Sequence, residues 1–250
     1  MCPKTCISES FMTRSVQSLT DETTTDSLAS DAVRFHDRIA AEWEGRYKRR
    51  RFTERLRVLE ELLPERETDR RWLDAGCGTG TIARWLARER GANVVAIDAS
   101  TEMLANAEVF QGVTYLEGDI RHIDAPGEWF DGVVCSSVLE YLERPQSALR
   151  ELARVLKRGG VLMASVPHAD ARIRIPMKAL HWLTIPLKRY RLYEHLDYSA
   201  HAYTRTSLSD LLSGTGFVPL RIVDFATVSL PFGLRFLFPG ALLMAKAVKT

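Results

Sequence analysis

The sequence predicts an α/β fold built on a mostly parallel β-sheet with helices on both faces. Two observations carry this. From Arg71 onward, short apolar runs alternate with helical segments through short connections, the pattern of parallel strands joined by crossover helices. The first of these strands also runs into a glycine-rich turn that opens a helix. With 250 residues, 46% of them hydrophobic and 26% charged, the chain has enough apolar material for one large domain.

Residues 1–27 are rich in Ser, Thr, Asp and Glu with few apolar anchors, and read as a mobile tail ahead of a single domain over 28–250. Helical periodicity starts near Leu28, with Val33, Ile39 and Ala40 on one side and Trp43 and Tyr47 further on. A second helix is predicted over 52–63, where Leu56, Leu59, Leu62 and Leu63 share a face and Pro64 ends it. Strands follow at 72–75, 93–97, 113–116 and 130–135. The helices between them are predicted at 81–90 and, capped by Ser100, from there to about 109. A helix holding Leu149, Leu152, Val155 and Leu156 is predicted to stop at Gly159-Gly160, which opens a fifth strand over 161–166. After Pro167 the alternation breaks. Residues 168–200 read as an insertion over the sheet edge, followed by a helix at 207–213 and strands at 217–225 and 241–248.

Composition narrows the function classes. Lys and Arg number 34 against 32 Asp and Glu, so nothing favours the cation-rich face that duplex binding needs. The four cysteines, Cys2, Cys6, Cys77 and Cys135, form no Cys-x-x-Cys pair, and no zinc site is expected. No secretory signal is expected, and Pro231, Arg235, Pro239 and Gly240 break the most apolar stretch, 225–247. The expectation is a cytoplasmic protein.

The chemistry concentrates at Leu73-Asp74-Ala75-Gly76-Cys77-Gly78-Thr79-Gly80. Its Gly-x-Gly-x-Gly spacing differs from the Gly-x-Gly-x-x-Gly of dinucleotide-phosphate turns, and no Gly-Lys-Ser/Thr makes it a P-loop. Asp98 ends the second strand 20 residues on, where a carboxylate commonly accepts from ribose hydroxyls. Asp119 and Ile120 follow the third strand, placing an acid and an apolar side chain where an adenine edge and face could sit.

These residues, with Phe130-Asp131-Gly132-Val133-Val134-Cys135, resemble a class I S-adenosylmethionine-dependent methyltransferase over about residues 29–166. The nearest group comprises ubiquinone/menaquinone-biosynthesis and natural-product methyltransferases. Asp37-Arg38-Ile39-Ala40-Ala41-Glu42-Trp43-Glu44 echoes that group's first helix, and Val155-Leu156-Lys157-Arg158-Gly159-Gly160 its run before the fifth strand. The resemblance implies a Rossmann-like seven-stranded sheet with an antiparallel last strand. It also implies that Asp74, Gly76 and Gly78 hold the methionine part of S-adenosylmethionine, with Cys77, Gly80 and Ala99 alongside. Asp98 would hold the ribose and Asp119 with Ile120 the adenine. Cys135 and Ser136 would meet the methionine ammonium.

The expected acceptor is a small apolar or aromatic molecule, most readily methylated at oxygen, with no metal. His168, His195 and His201 flank the insertion and are candidate bases. Tyr141 stands where relatives often carry a histidine, so it is either a catalytic side chain or a wall of the acceptor pocket. Trp43 and Tyr47 either close over the cofactor or pack in the core. The insertion, apolar with interspersed cations, reads as a lid, as a membrane-surface element working with the apolar run 232–238, or as plain packing. The basic run 46–51 reads as a solvated face. Two alternatives stand beside a small-molecule enzyme: methylation of a lipid-quinone-type acceptor at a membrane, and a cofactor-binding subunit without turnover.

Overall fold

The computed structural model describes residues 27–46, 50–63, 70–172, 174–184, 194–225 and 240–250. Tyr47, Pro64, the tail up to residue 26, the apolar run 232–238 and residues 185–193 of the insertion lie outside them, as do the side chains of the basic run.

Seven strands form one sheet. β1 (Arg71–Ala75), β2 (Asn93–Asp98), β3 (Val113–Glu117), β4 (Phe130–Ser136) and β5 (Leu156–Pro167) run parallel, and β6 (Phe217–Phe225) and β7 (Leu242–Lys249) complete the order β3-β2-β1-β4-β5-β7-β6. β7 is antiparallel to both neighbours, as the resemblance implies. Strand order reverses between β1 and β4, so their carboxyl ends open a crevice, the usual ligand position in such sheets.

Period-two alternation divides the strand residues between two cores. Leu73, Val133, Leu162 and Leu243 face one side, packed with Leu149 and Leu152 of α5 (Pro145–Val155) and Leu208 and Leu212 of α7 (Arg205–Ser213). Trp72, Val134, Met163 and Met244 face the other. They meet Leu59 and Leu62 of α2 (Arg50–Leu62) and Trp85 and Leu86 of α3 (Thr81–Arg90). A further helix, α1 (Ser27–Arg46), buries Phe35, Ile39 and Ala40 against Met103 of the short α4 (Thr101–Ala105).

Two expectations change. The helix after Ser100 ends at Ala105, not near 109, because only its Met103 finds the core. The Gly159-Gly160 pair does not end α5. That helix gives way at Leu156 directly to β5, and the glycines lie within the strand, beside an irregular register against β4 between Phe130 and Gly132. The insertion contributes α6 (Arg174–Thr184) and a single 3₁₀ turn, Glu194–Asp197. Among the described residues no helix is long and apolar enough to cross a membrane.

Gly132 lies beside Trp72 in the β1–β4 ladder, and a Cβ there would come 2.5 Å from the indole. Gly132→Ala should therefore destabilise the protein by about 1–3 kcal/mol through overpacking. Combining it with Trp72→Phe, which removes the outer ring, should restore part of that loss. Urea unfolding of the single and double variants measures both.

Candidate functional site

Gly76, Gly78 and Gly80 all have positive φ, at 76°, 55° and 78°. At Gly76 a side chain would also strike Val138, and at Gly80 it would strike Tyr115. The turn is therefore open only to glycine at these steps. Its N–H groups point inward to the protein. Gly76 and Cys77 donate to the Ile97 carbonyl at 2.8 and 3.0 Å, Gly80 donates to the Cys77 carbonyl at 2.9 Å, and Gly78 donates to Asp98 Oδ2 at 2.7 Å. A phosphate would find none of these donors available, which separates this turn physically from dinucleotide-phosphate turns.

A cavity of about 620 Å³ opens over this turn. Of the sequence-predicted cofactor residues, Asp74, Gly76, Cys77, Gly78, Asp98, Ala99, Asp119, Ile120, Ser136 and Trp43 line it. Gly80 supports the turn as the N-cap of α3, and Cys135 sits in the core with no exposure. Tyr47 lies outside the described residues. Among the candidate catalytic residues, Tyr141 and His195 line the cavity. His168 and His201 are not among the lining residues. His168 is buried beside the Gly240 carbonyl, its Nδ1 at 3.2 Å, while His201 Nε2 lies 3.3 Å from the Glu143 carbonyl.

The carboxylates set the electrostatics. Asp74 is 1% exposed and accepts from the N–H of Ala83 in the first turn of α3, a donor that no helix carbonyl can reach. Its Oδ2 is buried with no hydrogen-bond partner among the described residues. Burial pushes its pKa up to about 7, with Ala83 and Arg55 pulling the other way and Asp98 adding to the rise. Asp98 is likewise held above the usual carboxylate range by burial, against the N–H donors of Ser100 and Gly78. Asp119 differs. Burial raises it, but Arg121 outweighs that by gripping both carboxylate oxygens, with Nη2 at 2.6 Å, and the net shift is downward. Burial also pushes the Cys77 and Cys135 thiols well up, so neither is a thiolate at neutral pH.

The lining residues missed by the sequence reading include the ionisable His36, Arg55, Glu140 and Arg174. Arg55 donates from Nη2 to Ser137 Oγ at 3.0 Å. Glu140 is 3% exposed, its Oε2 has no partner among the described residues, and burial lifts its pKa to about 7 against the pull of Arg55 and Arg174. Burial lowers Arg174, opposed by Glu140. A signal existed in the periodicity. Arg55 shares helix spacing with Leu59 and Leu62, and His36 with Ala32, Ile39 and Ala40, so each is a polar residue on a buried stripe.

The fold and site define a Rossmann-like α/β protein whose cavity suits a cationic, ribose-bearing ligand rather than a dinucleotide phosphate. Residues 73–164 match the family model described as a methyltransferase domain. Over 165 residues the chain is 34% identical to malonyl-[acyl-carrier protein] O-methyltransferase of Enterobacter lignolyticus, covering 65% of this chain and 59% of that protein. Over 106 residues it is 36% identical to ubiquinone biosynthesis O-methyltransferase of Pectobacterium atrosepticum, covering 40% and 44%. The chain thus spans about half the length of these relatives. A Haloferax volcanii protein solved in complex with the Trm112 methyltransferase activator shares the fold, at TM-score 0.65 and 18% identity over 91% of this chain and 99% of that one. Residues 73–164 thus carry a methyltransferase domain, in line with the class that the motifs suggested.

The raised carboxylates make a pH prediction. Asp74 and Glu140 hold protons in the folded state that the unfolded chain, with carboxylates near ~4, has released. The ligand-free protein should therefore lose stability as pH rises from about 4 through about 7. Asp74→Asn and Glu140→Gln should each flatten the fall in thermal midpoint between about pH 5 and pH 8. Slopes equal to wild type would show that these acids ionise freely.

Proposed function

We propose that the protein transfers a methyl group from S-adenosylmethionine to a hydroxyl oxygen of a small apolar or aromatic acceptor. The observation that carries this is the partnerless, buried Asp74 Oδ2 in a cavity lined by Asp98 and Asp119. Such a site lacks a donor where the cofactor's ammonium would supply one, and it repels a diphosphate.

The residues fit the cofactor. Asp74 Oδ2 takes the ammonium, and Arg55, close enough to act on both Asp74 and Glu140, balances the methionine carboxylate. Each Asp98 oxygen accepts one backbone N–H and keeps a lone pair for a ribose hydroxyl. Ile120 offers an apolar face to the adenine, with Asp119 beside it on the Arg121 clamp. When bound, the cofactor supplies an electrophilic methyl on a sulfonium. What remains for the chain is alignment and exclusion of water, with orientation supplying about 7–11 kcal/mol of the barrier. Trp43, from α1, lies over the glycine turn, its Nε1 within 3.7 Å of a Cβ position at Gly78. His195, Leu196 and Ser199 reach the cavity from the insertion, which acts as its cover. Oxygen as the accepting atom is supported by the names of the relatives, both O-methyltransferases.

A second reading, an acceptor met at a lipid surface, rests on α6. Its Ile175, Trp182 and Leu183 are each more than 70% exposed, with Lys178 beside them. Vesicles containing anionic lipid should then retain the wild type, and Trp182→Ser with Leu183→Ser should release it. Absence of retention removes this reading and leaves a free acceptor.

Calorimetric titration with S-adenosylhomocysteine, beside NADH, tests the main reading. The homocysteine compound should bind and NADH should not. Asp98→Ala should weaken binding at least ~10-fold, about 1.4 kcal/mol. Binding should release protons near about pH 6.5, because the ammonium lowers Asp74, and Asp74→Asn should abolish that release.

A further inference from the structure

His36 lies on the face of α1 that also sends Ala29, Ala32, Val33 and Trp43 to the cavity. Its Nδ1 is 2.7 Å from the Ala32 carbonyl oxygen. A carbonyl only accepts, so Nδ1 carries a proton in either charge state. In the neutral ring Nε2 is then the bare nitrogen. Among the described residues nothing is bonded to that Nε2. The ring is held edge-on by Phe35, Trp43 and Tyr141, with centroids at 5.1, 5.4 and 5.1 Å.

The Tyr141 contact gives His36 its meaning. Tyr141 lies just after β4, and its ring meets the His36 imidazole at 83° across the cavity wall. An imidazole thus stands at this corner of the cavity, delivered by α1 and backed by the Tyr141 ring. Resting on the methyltransferase reading above, we propose that His36 is the general base that takes the proton of the acceptor hydroxyl. In the step, the acceptor O–H bond breaks and its proton passes to Nε2. The oxygen forms a bond to the methyl carbon as the carbon–sulfur bond breaks, and that electron pair leaves on sulfur. The imidazolium then returns its proton to solvent.

The surroundings suit this role. The titratable groups facing the ring are Asp37 on its own helix, Asp98 at the end of β2 and the Tyr141 phenol. Burial lowers the His36 pKa, outweighing the Ala32 bond and the two aspartates, so the ring is neutral and able to accept at neutral pH. The aspartates are placed to stabilise the imidazolium once it forms.

The test uses 4-nitrocatechol, a phenol whose ionisation is visible, added to the full-length protein saturated with S-adenosylhomocysteine. The pH is set where the free probe is mostly un-ionised. Wild type should bind it with the absorption of the ionised form, and His36→Gln should bind it un-ionised with S-adenosylhomocysteine affinity unchanged. Methyl transfer from S-adenosylmethionine to the probe should fall by ~10²–10⁴-fold in the variant. Should His36→Gln fail to fold, imidazole nitrogen shifts of the wild type serve instead. They should show a protonated Nδ1, a bare Nε2 and an Nε2 shift on adding the probe. Equal ionisation in the variant, an un-ionised or unbound probe in wild type, or an unmoved Nε2 overturns the assignment. Failure of S-adenosylhomocysteine itself to bind would instead overturn the methyltransferase reading.

Discussion

Asp98 places one carboxylate oxygen 2.7 Å from the N–H of Gly78 and the other 2.9 Å from the N–H of Ser100. One side chain thereby ties the turn after β1 to the turn after β2. Ser100, so fixed, caps α4 by accepting from the Met103 N–H at 3.0 Å, and donates from its hydroxyl to Asp37 at 2.5 Å. That last bond docks α1 across the sheet edge and carries His36 and Trp43 to the cavity. The glycine turn, the floor of the site and its helical wall all pass through this carboxylate. It is also half-buried, so these charge-assisted bonds are shielded from water and stronger than they would be at the surface.

The same arrangement explains why the site tolerates acids that burial disfavours. Asp74 and Glu140 each keep an oxygen without a partner, at a cost that a ligand-free protein has no means to recover. A carboxylate held near 7 stays partly protonated until a cation arrives, and then ionises in its favour. Stability is therefore given up at the positions where ligand recognition gains most. Asp131 shows the contrast. Near the opposite end of β4 it is paired with Lys157 at 2.5 Å, accepts from the Arg71 N–H and shifts downward, as a structural acid does.

How far the sequence carried the reading depended on whether a residue's role follows from its own strand or turn. The parallel strands, the glycine turn and the acids at the ends of β2 and β3 are local: alternation and spacing place them directly. The extent of α4 and the path through Gly159-Gly160 were misjudged because tertiary contacts decided them. Only Met103 of α4 is buried, and β5 borrows residues from Leu156 onward to continue its ladder with β4. His36 and Arg55 were passed over for another reason. Both lie on helices that periodicity reads as packing surfaces, and a polar residue on such a stripe declares itself only when the stripe is seen to border a cavity.

That distinction divides the site into two halves with different origins. The cofactor half is built by β1, β2, β3 and β4, all inside the 73–164 segment that matches the family model. The rest of the cavity wall draws on α1, α2 and the insertion after β5, which supply His36, Trp43, Arg55, Arg174 and His195 from outside that segment. A cofactor common to many enzymes constrains the sheet-borne half to one geometry. On the proposed function the acceptor is met by the appended segments, which lie outside the strand order of the sheet. The two meet at the corner of the cavity, where Tyr141 on the loop after β4 packs against His36 opposite it on α1.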